Sequence, residues 1–295
     1  MKEVVVISGK GGTGKTSVAA CFAALAEKPV IADCDVDAAD LHLVLSPEVK
    51  YEENFSGGSQ ARVVPERCTA CGRCAELCRF GAIRNGSGGA CSVDPVACEG
   101  CGVCAWFCPA EAIEYGPVVN GRWFVSDTRF GPMVHARLGV AEENSGKLVT
   151  LVRNQARRIA EEGGYRYLVA DGAPGIGCPV IASISGADLV LIVTEPTVAG
   201  RHDLERVADL TAHFGIPTAV CVNKCDLNTE VTDQIVERAA ARGLEVAGAI
   251  RYDGAVTAAQ VERKSVVEHT TGTVADEIRS AWLKVSELLE RDAGT

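Results

Sequence analysis

One eight-residue segment constrains the fold of this 295-residue chain more than any other. Gly9–Thr16 reads Gly-Lys-Gly-Gly-Thr-Gly-Lys-Thr; it follows an apolar run, Val4–Ser8, and precedes a helical pattern. A glycine-rich loop between a strand and a helix turns its backbone N–H groups inward, where they and the positive helix end can hold phosphate oxygens. The segment predicts a nucleotide site in an α/β domain, with Lys15 on the β- and γ-phosphates and the Thr16 hydroxyl on Mg²⁺.

The rest of the chain alternates short apolar runs with amphipathic stretches. This alternation predicts an α/β fold with a mainly parallel sheet flanked by helices, because strands buried on both faces read as continuous apolar runs. After Val4–Ser8, the predicted strands are Val30–Ala32, Tyr167–Ala170, Leu189–Thr194, Thr218–Asn223 and Val246–Ile250. The predicted helices are Thr16–Glu27, Thr150–Glu162, Arg201–Phe214, Thr229–Arg242 and Val274–Arg291. The polar face of the last helix mixes both charges, so we expect it to pack on the core rather than on a membrane.

Charge and cysteine content narrow the classes of partner and compartment. The net charge is −10 and no run of Lys or Arg occurs, which predicts neither nucleic acid nor an anionic membrane as a partner. The first apolar run is too short for a signal peptide, and no stretch approaches the roughly 20 apolar residues that span a bilayer. We therefore expect a cytoplasmic protein, in which its 14 cysteines favour metal ligation over disulfides.

Eight of the cysteines form two similar runs. Residues 68–83 and 98–113 match at eight of sixteen positions with an offset of 30 residues. Each run has the spacing Cys-x2-Cys-x2-Cys-x3-Cys, with cysteines at 68, 71, 74 and 78 and at 98, 101, 104 and 108. The spacing resembles that of bacterial ferredoxins, which carry two [4Fe–4S] clusters.

The ferredoxin resemblance implies that the fourth cysteine of each run serves the other cluster. One cluster would take Cys68, Cys71, Cys74 and Cys108, and the other would take Cys98, Cys101, Cys104 and Cys78. A thiolate zinc site is the alternative, although zinc ligands usually come as two separated pairs. Arg79 follows the first run where the second has proline.

The cysteine-rich segment is predicted to be an insertion. Two loop-like stretches, residues 56–59 and 86–89, are rich in glycine and serine, and the first is interpreted as a boundary. We place a small ferredoxin-like α+β module at 64–117, inserted into the α/β domain that carries the glycine-rich loop and is formed by 1–63 and 118–295.

A second lysine in the glycine-rich loop, Lys10, gives the loop a family resemblance. With this lysine, the loop resembles the deviant phosphate loop of the MinD/ParA/Mrp ATPases and of the nitrogenase iron protein. The resemblance implies MgATP hydrolysis, a homodimer formed on ATP binding, and a Lys10 that reaches the partner's nucleotide as an arginine finger would.

The same resemblance supplies roles for three further segments. Asp35, in the acidic stretch 33–40, is the candidate for positioning the attacking water, with Asp37 and Asp40 as alternatives. Asp171, at the start of Asp-Gly-Ala-Pro-Gly, resembles the Mg²⁺-holding second switch, although Ala173 stands where these ATPases usually have proline. Asn223 is the candidate for recognising adenine, with Asp226 a weaker second.

The loop and the resemblance together imply three catalytic residues, Lys10, Lys15 and Asp35. The predicted nucleotide contacts are Gly11, Gly12, Thr13, Gly14, Lys15, Thr16, Ser17, Asp171 and Asn223. The six remaining cysteines are interpreted as small packing residues, including Cys178, for which a ligand or redox role was the alternative. His135 and Lys147 are interpreted as surface or packing residues.

The leading functional hypothesis is an ATPase that uses nucleotide-dependent dimerisation or partner binding to control electron transfer from its clusters to a redox protein. Two others stay open: an iron–sulfur cluster carrier or assembly factor, and a positioning ATPase for a metalloprotein partner. No Cys-x2-Cys follows Cys108, whereas Mrp-type scaffolds use one there to bridge a cluster. Its absence weakens the scaffold hypothesis.

Overall fold

A computed structural model describes residues 1–86, 89–139 and 145–291 of the chain. The chain divides into two compact units. The first unit consists of Met1–Glu52, Trp123–Arg137 and Ser145 onwards, and the second consists of Glu53–Arg122 with the short stretch that begins at Leu138. The second unit is wider than the predicted insertion at 64–117 because the segments that flank its cysteine runs pair with each other as strands.

The strands and helices follow the chain in this order. The strands are β1 Lys2–Ser8, β2 Pro29–Asp33, β3 Glu48–Phe55, β4 Gly58–Val63, β5 Ile83–Gly86, β6 Gly89–Val93, β7 Ile113–Val118, β8 Gly121–Asp127, β9 Pro132–Leu138, β10 Tyr167–Pro174, β11 Leu189–Thr194, β12 Thr218–Asn223 and β13 Glu245–Ile250. The helices are α1 Lys15–Leu25, α2 Leu41–Leu45, α3 Arg73–Leu77, α4 Val103–Trp106, α5 Ser145–Glu162, α6 Cys178–Ile184, α7 Val198–His213, α8 Thr229–Ala241, α9 Ala255–Val261, α10 Val266–His269 and α11 Thr273–Arg291.

The large sheet confirms the predicted α/β fold. Its strand order is β13-β12-β11-β1-β10-β2-β9-β8-β3, and the pairs from β13 to β9 are all parallel. The central strands β1, β2, β10, β11 and β12 are almost wholly buried, as continuous apolar runs with helices on both faces should be. The carboxyl ends of β1, β2 and β10 therefore meet at one edge of the sheet, where an open α/β sheet binds its ligands.

The last helix packs on the core, as predicted. The Trp282 ring of α11 lies 5.1 Å from that of Phe22 and 5.4 Å from that of Tyr167, measured between centroids. These aromatic rings join α11 to α1 and β10 and bury its apolar face. In the part of the chain that the structure describes, no helix combines the length and apolar character needed to cross a bilayer.

Three sheet strands, β3, β8 and β9, were not predicted. Residues Glu48–Tyr51 of β3 are exposed and mostly polar, so they give no apolar signal. In β8 and β9 buried and exposed residues are mixed, because these strands lie toward the edge of the sheet. A continuous apolar run thus marks the central strands and β13, but not β3, β8 and β9.

The second unit is built as two copies of one small motif. Each copy has a strand, a cysteine run that contains a short helix, and a second strand. These elements are β4, α3 and β5 in the first copy and β6, α4 and β7 in the second. Strands β4 and β7 pair antiparallel, and so do β5 and β6. Gly72 and Gly102 precede the two helices with nearly identical positive φ of 76° and 74°. The 30-residue repeat of the sequence is thus also a repeat of the backbone.

Candidate functional site

The glycine-rich loop connects β1 to α1 as predicted. Gly14, the residue before α1, has a φ of 89°, which glycine adopts without strain. A Cβ on Gly14 would also lie 2.2 Å from Nδ2 of Asn223, so no larger residue fits there. The Ser8 hydroxyl donates a hydrogen bond of 2.8 Å to the carbonyl of Lys10 and fixes the first turn of the loop.

Lys15 is buried at the start of α1, between two carboxylates. Its Nζ lies 2.7 Å from Oδ1 of Asp171 and 3.2 Å from Oδ2 of Asp35. Burial alone would lower the pKa of Lys15, but the charges of Asp171 and Asp35 outweigh burial and raise it above its usual value. Lys15 is therefore a permanent cation at the carboxyl edge of the sheet.

Asp33 is a third buried carboxylate of this cluster that the sequence analysis did not single out. It ends β2, next to Asp171 in the register of the sheet. Its oxygens accept hydrogen bonds from the backbone N–H groups of Asp35, at 3.2 Å, and Leu41, at 3.3 Å. Burial, reinforced by the charge of Asp171, raises the pKa of Asp33 well above its usual range. Asp33 holds the acidic loop in shape, and a strand-ending carboxylate was the signal that could have identified it.

The three candidates for positioning water differ in burial. Asp35 is 7% exposed, whereas Asp37 and Asp40 are exposed. Burial raises the pKa of Asp35, and the Lys15 ammonium opposes the rise. Among the three, Asp35 alone contacts Lys15 in the structure.

Two buried oxygens at this edge lack a protein partner. Among the described residues, neither Asp171 Oδ2 nor Thr13 Oγ1 has a hydrogen-bond partner. A buried polar atom is costly unless something binds it. A carboxylate oxygen beside the loop, with the Thr16 hydroxyl at the start of α1, is the kind of oxygen donor that Mg²⁺ prefers. The residues present thus fit a Mg²⁺–nucleotide complex.

Lys10 and Lys224 share one carboxylate, Glu195. Lys10 Nζ lies 2.7 Å and Lys224 Nζ 3.0 Å from its two oxygens. Lys224 also donates a hydrogen bond of 2.9 Å to the carbonyl of Gly12. Burial favours a higher pKa for Glu195, but the two ammonium groups lower it overall. The sequence analysis missed Glu195 and Lys224, which hold the loop and Lys10 from within the same chain.

The adenine candidates and Ser17 have contacts of other kinds. The Asn223 amide donates a hydrogen bond of 2.7 Å to the carbonyl of Thr13, so it supports the phosphate loop. Asp226 accepts a hydrogen bond of 2.6 Å from the backbone N–H of Tyr252. The Ser17 hydroxyl accepts one of 3.1 Å from Gln260. The adenine role of Asn223 stays a prediction.

In the second unit, the eight cysteines of the runs line two cavities. The first cavity has Cys68, Cys71, Cys74 and Cys108 in its wall. The second has Cys78, Cys98, Cys101 and Cys104. Each cavity thus takes three cysteines from one run and the fourth from the other, the same grouping as the predicted ligand sets.

Backbone N–H groups point at several of these sulfurs. The N–H of Ala112 donates a hydrogen bond of 3.3 Å to Cys108 Sγ. The N–H groups of Ala70 and Cys91 lower the pKa of Cys68. Such donors stabilise thiolates, the form that binds metal. No three His, Cys, Asp or Glu side chains in the described ranges are grouped tightly enough to hold a single metal ion.

Among the other six cysteines, Cys21, Cys34, Cys91 and Cys221 are buried and Cys225 is half-buried. The packing prediction is therefore confirmed for the four buried ones. It is wrong for Cys178, which is exposed at the start of α6. Gly177 ends the preceding turn in an extended conformation and leaves that first helical residue at the surface.

The buried imidazole of His135 is expected to make the stability of the folded protein depend on pH. Its Nε2 lies 2.9 Å from the Ser126 hydroxyl, and burial lowers the pKa of His135 to about 4. Because an unfolded histidine takes up its proton near pH 6.5, the folded state loses stability as the pH falls from 6.5 toward 4, by about 2 kcal/mol at pH 5. Urea unfolding at pH 7 and pH 5 tests this. The decrease should shrink by that amount in His135→Gln, and an equal decrease in both proteins would contradict it.

A family model described as the CobQ/CobB/MinD/ParA nucleotide binding domain matches residues 4–266. A protein of Methanocaldococcus jannaschii that itself is uncharacterized is 33% identical over 236 residues, 77% of this chain and 79% of that protein.

Three solved structures have a similar fold. The cell division ATPase MinD of Pyrococcus furiosus superposes with a TM-score of 0.58 at 16% identity, covering 97% of this chain and 99% of that one. MinD of Pyrococcus horikoshii, complexed with Mg-ADP, gives 0.57 at 15% identity, with 100% and 99% covered. The MinC:MinD complex of Aquifex aeolicus gives 0.58 at 16% identity, with 97% and 96% covered.

Proposed function

This chain belongs to the CobQ/CobB/MinD/ParA nucleotide-binding family, and on that premise we propose that it is a MgATP-hydrolysing enzyme whose nucleotide cycle controls electron transfer from two [4Fe–4S] clusters. The nucleotide part rests on the phosphate loop and its carboxylates. The electron-transfer part rests on the cysteine cavities of the second unit.

The proposal that the chain binds and hydrolyses MgATP is supported by the position of Lys15 at the start of α1, directly after the glycine-rich loop. A bound phosphate would share or replace its ion pairs with Asp171 and Asp35. Thr16 and Asp171 Oδ2 would hold Mg²⁺, which supplies charge to stabilise the leaving phosphoryl group. Asp35 would orient the attacking water, since its carboxylate lies beside Lys15.

Lys10 gives hydrolysis a dependence on a second copy of the chain. In this structure it is held by Glu195 within its own chain. We propose that it leaves Glu195 in the ATP-bound homodimer and neutralises charge on the partner's nucleotide. Hydrolysis would then require two copies of the chain, and we expect it to be slow without a partner.

The single observation that carries the electron-transfer part is the sorting of eight cysteines into two sets of four around two cavities. Cysteine thiolates in sets of four are the ligands of [4Fe–4S] clusters, which accept and release single electrons. Backbone N–H donors at Cys68 and Cys108 add to the fit. Cytoplasmic partners would be a redox protein or a metalloprotein.

The proposal is tested by purifying the protein without oxygen and measuring iron, ATP hydrolysis and cluster potentials. We expect about eight iron atoms per chain, four for each cluster. Redox titration followed by electron paramagnetic resonance should give potentials that differ between MgADP and MgATP. Less than one iron atom per chain after reconstitution would contradict the presence of the two clusters. Reduction potentials that are the same with MgADP and MgATP would contradict the control of electron transfer by nucleotide.

One observation favours a second candidate, a cluster carrier or an ATPase that positions a metalloprotein. Cys71 and Cys101, the middle cysteines of the two runs, are exposed. A thiolate of an acceptor protein could bind the iron held by an exposed cysteine and displace that cysteine, which leaves as a thiolate, so a cluster could be handed over. Transfer of iron and sulfide to an apo-ferredoxin, faster with MgATP, would favour this candidate over electron transfer.

A further inference from the structure

The first cavity of the second unit contains a fifth cysteine. Cys91, on β6, lines it together with the four cysteines of the predicted first ligand set. Its side chain is only 6% exposed and belongs to the small apolar core of this unit. It stands outside both cysteine runs, seven residues before Cys98, so the spacing of the runs gives it no role.

The internal repeat shows what stands at the same place in the other cavity. Residue 61 lies 30 positions before residue 91 and is alanine. Ala61, on β4, lines the second cavity just as Cys91 lines the first. The two cavities therefore have equivalent walls at this point, one with a thiol and one with a methyl group.

Cys91 contacts two of the predicted ligands. Cys68 and Cys74 pack against the small buried cluster that contains Cys91, and all three line the first cavity. The Cys91 thiol donates a hydrogen bond of 3.5 Å to Oδ1 of Asn85. A thiol has one proton, and a charged thiolate attracts it more strongly than a neutral amide oxygen does. Thiolate sulfurs of Cys68 and Cys74 in the same cavity wall would therefore be stronger acceptors for the Cys91 proton than Asn85 is.

Resting on the proposed iron–sulfur function, we propose that Cys91 is a positioning residue that donates a thiol hydrogen bond to the ligand sulfurs of the first cluster and raises its reduction potential above that of the second. A hydrogen bond to a ligand sulfur stabilises the more negative, reduced cluster. Ala61 offers the second cluster no such donor. The difference would favour electron transfer from the second cluster to the first.

The experiment uses three variants of the full chain, each with its clusters reconstituted. Cys91→Ala removes the thiol and keeps the backbone N–H to Cys68, whereas Cys91→Ser keeps a donor on the side chain. Ala61→Cys places the thiol in the second cavity. Iron content and the two potentials are measured for each by titration and electron paramagnetic resonance.

We expect all three variants to keep about eight iron atoms, four per cluster. In Cys91→Ala the ratio of reduced to oxidised first cluster at a fixed potential should fall about tenfold, which is about 59 mV for one electron. The second potential should not move. Cys91→Ser should recover most of the shift, and Ala61→Cys should raise the second potential instead.

Three results would overturn or replace the inference. Unchanged potentials in Cys91→Ala would show that the thiol does not act on the cluster. Loss of half the iron in Cys91→Ala would make Cys91 a ligand rather than a hydrogen-bond donor. A wild-type protein that binds no iron would refute the proposed electron-transfer function itself, an outcome distinct from the other two because it appears before any variant is compared.

Discussion

Replacing Lys15 with alanine is expected to lower ATP hydrolysis at least about 100-fold, the effect of removing a charged group that stabilises a transition state. Lys15 is the cation at the start of α1 on which phosphate oxygens would sit. Its loss also leaves the buried carboxylates of Asp171 and Asp35 without their ion pairs. Removing one partner of a buried ion pair typically costs about 3–5 kcal/mol. Protonation of Asp33, whose pKa is raised already, would relieve part of this cost.

Two other lysines separate these effects. Lys10→Ala should retain ATP binding and lose hydrolysis, because Lys10 is only partly buried and its proposed role is on the partner's nucleotide. Lys264→Ala removes a surface ion pair with Glu262 and should match the wild type in binding, hydrolysis and stability. Isothermal titration with a slowly hydrolysed ATP analogue, phosphate release and urea unfolding give the three readouts. Wild-type ATP affinity in a folded Lys15→Ala protein would contradict the assigned site.

The phosphate site could be predicted from the sequence to the extent that it is local. The loop, its lysines and the strand and helix on each side are contiguous in Val4–Glu27, so their spacing carries the information. Glu195 and Lys224 reach the loop from the ends of distant strands, and no spacing links them to Lys10. A contact between residues nearly two hundred positions apart is set by the order of strands in the sheet.

Buried charge is the second kind of feature that the sequence did not reveal. Glu3 stands just before the first apolar run and is a charged residue, yet it is 1% exposed. Its two oxygens bind Arg153 and Arg157 on α5, 150 and 154 residues away. The role of Cys91 was likewise not visible in the sequence, because it lies outside both cysteine runs. Only the fold places it, on β6, in the wall of the first cavity.

The crossed origin of the cysteine ligands gives the sharpest prediction for the second unit. Cys108 belongs to the second run in sequence but lies in the wall of the first cavity, and Cys78 does the reverse. Replacing Cys108 with alanine should therefore destroy the first cluster and spare the second, with about four iron atoms left per chain. Cys78→Ala should destroy the second cluster and spare the first.

Paired variants test this without any assignment of the spectra. The signal and potential left in Cys108→Ala should be those left in Cys71→Ala, since both lose the first cluster. Those left in Cys78→Ala should equal those in Cys101→Ala. If each cluster instead took all four ligands from one run, Cys108→Ala would resemble Cys101→Ala, and the crossed assignment would be wrong.

A control from the first unit isolates the effect of ligation from that of losing a thiol. Cys178 is exposed on α6, so Cys178→Ala should keep all of the iron and both potentials. Iron loss in this control would mean that the assay reports general damage to the protein. If Cys178→Ala keeps its iron and both potentials, the match between the spectra that remain in two cysteine variants depends only on which cavity each replaced cysteine lines. That wall position comes from the antiparallel pairing of β4 with β7 and β5 with β6, which carries the end of each run to the cavity of the other.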